Sequence, residues 1–428
     1  MSTRSELAGR PAVRVAIVSP ADPERLEIGG IATFIRGFIK FAPPEFEFAI
    51  IGSSDGRPLG RWGDVEVEGR RIRSLPVIRS RARTRGRIPI ALRFTTALMM
   101  RRPRHVLDRW ILSFHRPATE LAFWNHRGPM WRAAHIGVSG LTTRGSESRW
   151  RRIGSLLTAV ERGSFRRMDR IWVVNAEVAE QYRRQFPEVA ERIRFLSNWV
   201  DTTIFGPRPG GERASLRSGF ARDTGLELAG PLIVFVGRLE GVKDPLLAAR
   251  TFAAYRRRNP AARLIVAGDG ALAAAMKEEL HALGAGDTSR LIGTIAPQQV
   301  AALMSAADLL LITSASETGP TVGLEALTSA LPVVTTSVGE IGRLVTESRA
   351  GRVVEGRSVA VLADAVESVL AQEPAGLREA CLHAAEPFAA PRVLAPLYEY
   401  NRELARGMSL PSSTQAASPD GRASTTGP

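Results

Sequence analysis

The chain has 428 residues, of which 44% are hydrophobic and 24% are charged, and its formal net charge is +15. This length predicts two domains, each large enough to bury its own core. No run approaches the roughly 18 apolar residues of a membrane span, and the single cysteine, Cys381, excludes an internal disulfide framework. The opening residues MSTRSELAGRPAVR lack the apolar segment of a signal peptide, so we expect a cytoplasmic protein.

The positive charge is concentrated in the first half of the chain. Residues 1–206 carry 36 basic and 20 acidic side chains, whereas the remainder carries 22 and 23. One interpretation is a solvated surface in an arginine-rich protein, since lysine occurs three times only. The other is a face for an anionic partner: a phospholipid surface, an acidic acceptor or nucleic acid. Nucleic acid ranks last, because aromatic residues are not interleaved with the arginines.

Two segments share one pattern, in which an apolar strand leads through a glycine-bearing turn into a helix. The first is a strand over 13–19 with an amphipathic helix over 29–40, and the second is a strand over 231–237 with the helix after it. Further strands are predicted over 264–268, 307–313 and 332–336. Strands alternating with helices indicate an α/β chain, with parallel sheets covered by helices.

The domain boundaries follow from composition. We predict a first domain over 12–206 and a second over 207–390, joined near the glycine- and proline-rich run 205–215. One more helix is predicted over 391–408, and it is expected to return to the first domain. The tail 409–428 has almost no large apolar residue, which predicts disorder.

Glycines and cations follow two of the predicted strands. Gly29 and Gly30 come after the first strand, where a helix N-terminus in a parallel sheet can meet a phosphate or a sugar. Arg238 and Lys243 lie in GRLEGVKD, between a buried strand and a helix. Two cations at such a place suit a pyrophosphate, although exposed loop cations are common in any protein.

Two glutamates lie further along, in SASETGPTVGLEALTSALPVV. Glu317 is predicted in the loop after a strand, and Glu325 in the first turns of the next helix. A carboxylate at a helix start commonly complements the helix dipole. Because both glutamates follow a strand that ends at the same sheet edge as Arg238 and Lys243, they can also accept hydrogen bonds from ribose hydroxyls.

In this order the motifs resemble the retaining glycosyltransferases of the GT-B fold, in particular glycosyltransferase family 4. That family has a pair of glutamates separated by seven residues, as Glu317 and Glu325 are here. The resemblance covers most of the chain. Its motifs are GGIATF, NWVDTTIF, GRLEGVKD, AGDG, the segment from ADLLLIT to LPVV, and VGEIGRLV. It implies two Rossmann-like domains facing each other across a deep cleft. It further implies a nucleoside diphosphate sugar as donor substrate, with neither a cofactor nor a metal.

The resemblance assigns roles to residues by position. Arg238 and Lys243 would hold the donor diphosphate and act in catalysis, Glu325 would bind the ribose, and Glu317 would lie against the transferred sugar. The remaining donor-site residues would be Gly29, Gly30, Gly268 of the AGDG turn, Gly319, Thr321 and Val322. The chain contains no D-x-D triplet, which fits metal-independent transfer.

One departure concerns an acceptor-side histidine that many relatives carry. The corresponding stretch here, HIGVSGLTTRG, has Ser139 or its neighbour at that position. His115 is the best replacement within the cleft, but an ordinary partly buried histidine is an equally good interpretation. His126 and His135 are weaker candidates.

These features predict a hexosyltransferase that acts on a lipid-linked or polysaccharide acceptor in cell-surface polysaccharide synthesis. We expect a cytoplasmic protein, bound peripherally to the inner face of the membrane through its basic first domain. The alternatives are a catalytically degenerate nucleotide-sugar-binding regulatory or scaffold protein, and a nucleic-acid-binding protein.

Overall fold

The structure is a computed structural model. It describes residues 12–24, 30–80, 90–101, 107, 109–116, 118–134, 154–316 and 321–409. The predicted disordered tail therefore lies outside the described residues, apart from the end of the last helix.

Fourteen strands are found in the described residues. They are Val13–Val18 (β1), Phe46–Ser53 (β2), Gly63–Val67 (β3), Arg70–Ile78 (β4), Ile111–Phe114 (β5), Met130–Ala134 (β6), Arg170–Val173 (β7), Ile193–Phe195 (β8), Leu232–Val236 (β9), Arg263–Ala267 (β10), Ser289–Leu291 (β11), Leu309–Ile312 (β12), Val333–Thr336 (β13) and Gly351–Val354 (β14).

The α-helices of the same residues are Gly30–Lys40 (α1), Ile90–Arg101 (α2), Gly154–Phe165 (α3), Ala176–Gln185 (α4), Gly210–Thr224 (α5), Pro245–Arg256 (α6), Ala273–Ala282 (α7), Pro297–Ala306 (α8), Thr321–Thr328 (α9), Gly339–Ser348 (α10), Val359–Leu370 (α11), Pro374–Ala385 (α12) and Ala390–Ser409 (α13). Short 3-10 turns are Thr119–Phe123, Pro187–Arg192, Gly286–Thr288 and Glu386–Phe388. No described helix is long and apolar enough to cross a membrane.

The strands form two sheets. The first has the order β3-β4-β2-β1-β5-β6-β7-β8, and the second has the order β11-β10-β9-β12-β13-β14. The pairs β1–β2, β1–β5, β9–β10 and β9–β12 are parallel, whereas β3 pairs antiparallel with β4 at the edge. The predicted α/β class with parallel sheets is thus confirmed.

The second sheet is buried on both faces. Successive residues of β9 point to opposite sides, so that Val234 joins one hydrophobic cluster while Ile233 and Phe235 join the other. In β12, Leu310 and Leu311 divide in the same way. Burial on both faces explains why these strands are continuous apolar runs in the sequence.

The run 205–215, predicted to be a linker, is helical from Gly210 onward. Helix α5 begins after Pro209, and its side chains anchor it to the second sheet. Arg217 Nη1 lies 2.9 Å from Asp308 Oδ2, which also accepts a hydrogen bond from Leu232 N at 2.8 Å. These long-range ion pairs override the low helix propensity of the paired glycines, which a local sequence pattern does not show.

The chain divides into two compact units. The first comprises residues 1–132, 167–169 and 396–428, and the second comprises 133–166 and 170–395. The predicted boundary near residue 206 stays a prediction.

Within the first unit, the part of α13 after Pro396 contacts α1. The ring of Tyr398 stacks on that of Phe38 with 5.4 Å between centroids, and its hydroxyl donates to the Phe38 carbonyl at 3.0 Å. Trp131 Nε1 donates to Asn401 Oδ1 at 3.1 Å, and Asn401 is fully buried. The polar partners of buried Tyr398 and Asn401 fix where this part of the helix lies.

Candidate functional site

The loop after β9 holds Arg238 and Lys243 in a folded turn. Lys243 N and Asp244 N both donate to the Glu240 carbonyl, at 2.9 and 3.1 Å. Arg238 is exposed and its guanidinium lies 2.6 Å from the Glu240 carboxylate. An exposed ion pair of this kind contributes roughly 0–1 kcal/mol, so an anionic ligand can displace Glu240 at little cost.

The AGDG turn packs directly on this loop through its backbone. Gly237 N donates to the Ala267 carbonyl at 3.0 Å, and Leu239 N donates to the Asp269 carbonyl at 2.9 Å. Gly268 has φ +148°, and a Cβ there would lie 1.9 Å from the Gly237 carbonyl oxygen. A side chain at Gly268 would therefore push the two loops apart, which explains the glycine.

The segment after β12 holds the other side of the same loop. Thr313 Oγ1 donates to the carbonyls of Lys243 and Asp244 at 3.2 and 2.8 Å, and Thr313 is fully buried. Ala315 N donates to the Val242 carbonyl at 2.8 Å. The loops after β9, β10 and β12 are thereby joined at the carboxyl edge of the second sheet, where ligands of parallel sheets bind.

An ion pair between Asp244 and Arg357 also holds this loop. Asp244 has φ +45°, and its Oδ1 accepts a hydrogen bond from Leu247 N at 3.1 Å, which caps helix α6. Its other carboxylate oxygen pairs with Arg357, whose Nη2 also donates to the Thr313 carbonyl at 3.2 Å. The Asp-Pro sequence at 244–245 could have revealed the helix cap. No local pattern could have revealed Thr313 or Arg357.

Glu325 lies in the second turn of α9, as predicted. Leu324 is buried on the face of α9 that packs into the protein, whereas Glu325 and Val322 are half-buried and three residues apart, on one side of the helix. Burial raises the pKa of Glu325 to about 7. A carboxylate in this environment gains from any hydroxyl groups that a ligand brings to it.

The start of α9 adds Thr321, whose side chain is half-buried. The helix is held closely by α10, since a Cβ at Gly323 would lie 2.5 Å from Ile341 Cγ1. Glu317 and Gly319 lie outside the described residues, so their predicted roles stay predictions.

In the first unit, Gly30 opens α1 and is exposed, with no atom within 4 Å of the position that a Cβ would take. Gly29 lies outside the described residues, as do His135 and Ser139. His115 is 2% exposed, and its ring lies 5.5 Å from that of Phe34 and 5.9 Å from that of Trp131, centroid to centroid. This is the environment of a core histidine.

Within the described residues, no group of three or more His, Cys, Asp and Glu side chains is arranged to hold a metal ion. Metal-independent chemistry nonetheless stays a prediction.

The described residues of the second unit bring together Arg238, Lys243 and Gly268 through backbone contacts of their loops. They place Glu325 on α9, the helix after the segment that holds Thr313.

Comparison with known proteins relates the second half of the chain to one family. Residues 220–386 match the family "Glycosyl transferases group 1". The D-inositol 3-phosphate glycosyltransferase of Corynebacterium glutamicum (strain R) is 29% identical over 194 residues, which are 44% of this chain and 46% of that protein. The chain thus spans about half the length of the curated relatives it matches.

Solved structures match over nearly the whole chain. The sucrose-phosphate synthase of Thermosynechococcus elongatus superposes with a TM-score of 0.73 at 17% identity, over 92% of this chain and 100% of that one. Anabaena HepE, in complex with UDP-glucose, superposes with a TM-score of 0.62 at 15% identity, over 92% and 99%. The chain has the GT-B fold, and its residues 220–386 match the glycosyl transferases group 1 family.

Proposed function

We propose that the chain is a retaining glycosyltransferase that moves a hexosyl group from a nucleoside diphosphate sugar to a lipid-linked or glycan acceptor. The observation that carries the proposal is the single loop that holds Arg238 and Lys243 between the Gly268 turn and Thr313. Its position within the group 1 domain and the UDP-glucose bound by HepE support a nucleotide-sugar donor.

In this proposal the two cations stabilise the departing diphosphate. The acceptor oxygen attacks the anomeric carbon on the face that the phosphate leaves, the bond from carbon to phosphate oxygen breaks, and that phosphate oxygen takes the acceptor proton. Negative charge grows on the diphosphate during this step, so preorganised donors beside it lower the barrier. Arg238 offers a planar pair of donors and Lys243 a compact charge, which together suit a pyrophosphate.

The remaining donor contacts follow the same scheme. Glu325 accepts hydrogen bonds from the ribose hydroxyls, Glu317 lies against the transferred sugar, and the amides from Gly319 to Val322 add to the phosphate cradle. Gly30, with Gly29, offers its backbone to the donor. His115 receives no role in the reaction, because its ring is buried among aromatic residues.

The acceptor side is supported by charge. Residues 1–206 carry 36 basic against 20 acidic side chains, which suits an anionic acceptor. The matched relatives are named for D-inositol 3-phosphate, a phosphorylated molecule. We place the protein in the cytoplasm, bound peripherally to the inner face of the membrane, where a lipid-linked acceptor of cell-surface polysaccharide synthesis would lie.

The test is nucleotide release from UDP-, GDP- and ADP-sugars, each offered with a panel of phosphorylated and lipid-linked acceptors. Arg238→Ala and Lys243→Ala should each reduce kcat/KM by about 10- to 100-fold, because each removes a charge-assisted hydrogen bond of about 1.5–3 kcal/mol.

Arg258→Ala is the matched control. Like Arg238, Arg258 is exposed and ion-paired, in its case with Asp364 and Glu367, but it follows the far end of α6. The control should keep the wild-type rate. Tight donor binding without any turnover across the panel would instead support the degenerate, regulatory alternative.

A further inference from the structure

The first unit exposes large hydrophobic side chains on two adjacent elements. On α2, Leu92, Met99 and Met100 are 57%, 41% and 74% exposed, while Phe94 and Leu98 are fully buried on the opposite side. Positions 92, 96, 99 and 100 are spaced as one face of a helix. The exposed apolar side chains of α2 therefore form a stripe that faces away from the core.

The 3-10 turn Thr119–Phe123 extends this stripe. Thr95 Oγ1 of α2 donates to the Ala118 carbonyl at 3.3 Å, so the turn lies beside the helix. Leu121 and Trp124 are 39% and 63% exposed. Arg167 Nη2 donates to the carbonyls of Phe123 and Trp124, which holds the end of the turn in place.

The clustering is specific to this surface. Nine large hydrophobic residues are exposed in the described part of the chain, and five of them are Leu92, Met99, Met100, Leu121 and Trp124. Single exposed hydrophobic residues are normal, but a group on adjoining elements marks an interaction surface.

The exposed charge at the described positions from 90 to 134 has one sign. Arg101, Arg109 and Arg127 are exposed, and Arg93 is half-buried. The single acidic residue among the described positions from 90 to 134, Glu120, is 2% exposed. Apolar side chains that include a tryptophan, set among arginines with no exposed carboxylate at the described positions from 90 to 134, match the interface of an anionic bilayer better than a protein of mixed charge.

We infer that the face formed by Leu92, Met99, Met100, Leu121 and Trp124, the α2 face, docks on an anionic phospholipid surface. The apolar side chains enter the headgroup region, and the arginines contact lipid phosphates. The inference deepens the proposed function by giving the lipid-linked acceptor a place of contact, and it rests on that function only for this purpose.

The experiment is co-sedimentation of the full chain with phosphatidylglycerol–phosphatidylcholine vesicles over a series of salt concentrations. The variant Met100→Gln/Trp124→Gln should lower the vesicle partition coefficient by at least about tenfold at every salt concentration. Its salt slope should equal that of the wild type, because the arginines are unchanged. Arg93→Gln/Arg101→Gln should instead flatten the salt dependence.

Leu283→Gln is the matched control, since Leu283 is 37% exposed and lies in the second unit. It should bind vesicles like the wild type. Urea unfolding of each variant checks that the fold is kept, and donor affinity in vesicle-free buffer should be unchanged in all of them. Wild-type protein that binds vesicles but binds no donor would thus count against the proposed function and not against the docking inference.

Three outcomes would overturn the docking inference. The first is wild-type protein that does not bind phosphatidylglycerol vesicles, and the second is a Met100→Gln/Trp124→Gln variant that binds them equally well. The third is wild-type self-association in sedimentation velocity that this variant abolishes, which would make the α2 face an interface between copies of the chain.

Discussion

Glu325 is the residue whose chemistry depends most on its surroundings. Burial raises its pKa from 4.5 to about 7. Below pH 4.5 the carboxyl is protonated in both folded and unfolded chains. Between pH 4.5 and 7 the unfolded chain ionises more readily, so the folded state loses stability as the pH rises.

We therefore expect Glu325→Gln to remove a pH dependence. The free energy of unfolding of the wild type, taken relative to the variant, should fall by about 3 kcal/mol between pH 4.5 and pH 7.5. Urea titrations of both proteins across this range measure the difference. If the unfolding free energies of the two proteins ran parallel across this pH range, the Glu325 carboxyl would have the same pKa in the folded and the unfolded chain.

Ligand binding should show the opposite trend at the same residue. If ribose hydroxyls donate to the ionised carboxylate, affinity for a nucleotide sugar should increase up to about pH 7 and then level off. A nucleotide sugar is the proper ligand here, since its diphosphate has no terminal phosphate group to titrate. Calorimetry on Glu325→Gln should give a weaker affinity for the nucleotide sugar that does not change with pH. If the variant keeps the pH dependence of the wild type, a group other than Glu325 causes it.

Gly268 is required by close backbone packing and has no proposed role in the reaction. Gly268→Ala would place a Cβ 1.9 Å from the Gly237 carbonyl oxygen at φ +148°, so either the loops separate or the strand ends shift. We expect a loss of at least about 2 kcal/mol in unfolding free energy. Gly219→Ala is the control: it lies inside α5 with no atom within 4 Å, and it should stabilise by about 0.5–1 kcal/mol. Urea unfolding that ranks the two variants the other way would contradict the packing described for the AGDG turn.

At the scale of elements, the site depends on how three strand ends are joined. Arg357 follows β14 and reaches Asp244 and Thr313, which in turn hold the backbone of Lys243. Removing its guanidinium leaves every proposed ligand contact in place but frees the loop. We class Arg357 as a positioning residue.

Arg357→Ala should weaken nucleoside diphosphate affinity by about tenfold, the loss of one hydrogen bond to a charged group. The affinity for the corresponding nucleoside should stay constant, because the base and ribose contacts do not depend on Lys243. In the double variant with Lys243→Ala the two losses should not add, since both act through one contact. Additive losses, or an equal loss for the nucleoside, would show that Arg357 supports the fold only.

The elements around this site were largely predictable. The runs that became β9, β10, β12 and β13 are largely apolar because their sheet is covered on both faces, and β1 is buried except at Arg14. Arg238 and Lys243 could be placed because they lie in the loop after such a run, and Glu325 because it lies in the helix that follows the next one. Helix α5 could not be placed, because its anchors, Arg213 and Arg217, contact Asp308 some ninety residues away. Thr313 and Arg357 are ordinary residues until the folded chain brings them to the loop.

At the scale of the whole molecule, the sequence divides into a basic half and a nearly neutral half. The match to the glycosyl transferases group 1 family covers residues 220–386, within the neutral half. Composition alone left two interpretations of the basic half, a solvated surface or a face for an anionic partner. It could not predict the α2 face, because the exposure of Met100 and Trp124 depends on how α2 and the following turn pack.

The central claim is that the loop after β9 binds a diphosphate through Arg238 and Lys243. The most direct measurement is calorimetric affinity for UDP, GDP and ADP beside their uncharged nucleosides. Wild-type protein should prefer one diphosphate over its nucleoside by at least about 100-fold, and Arg238→Ala/Lys243→Ala should remove nearly all of that preference. A preference that survives in the double variant, or that is absent from the wild type, would contradict the claim.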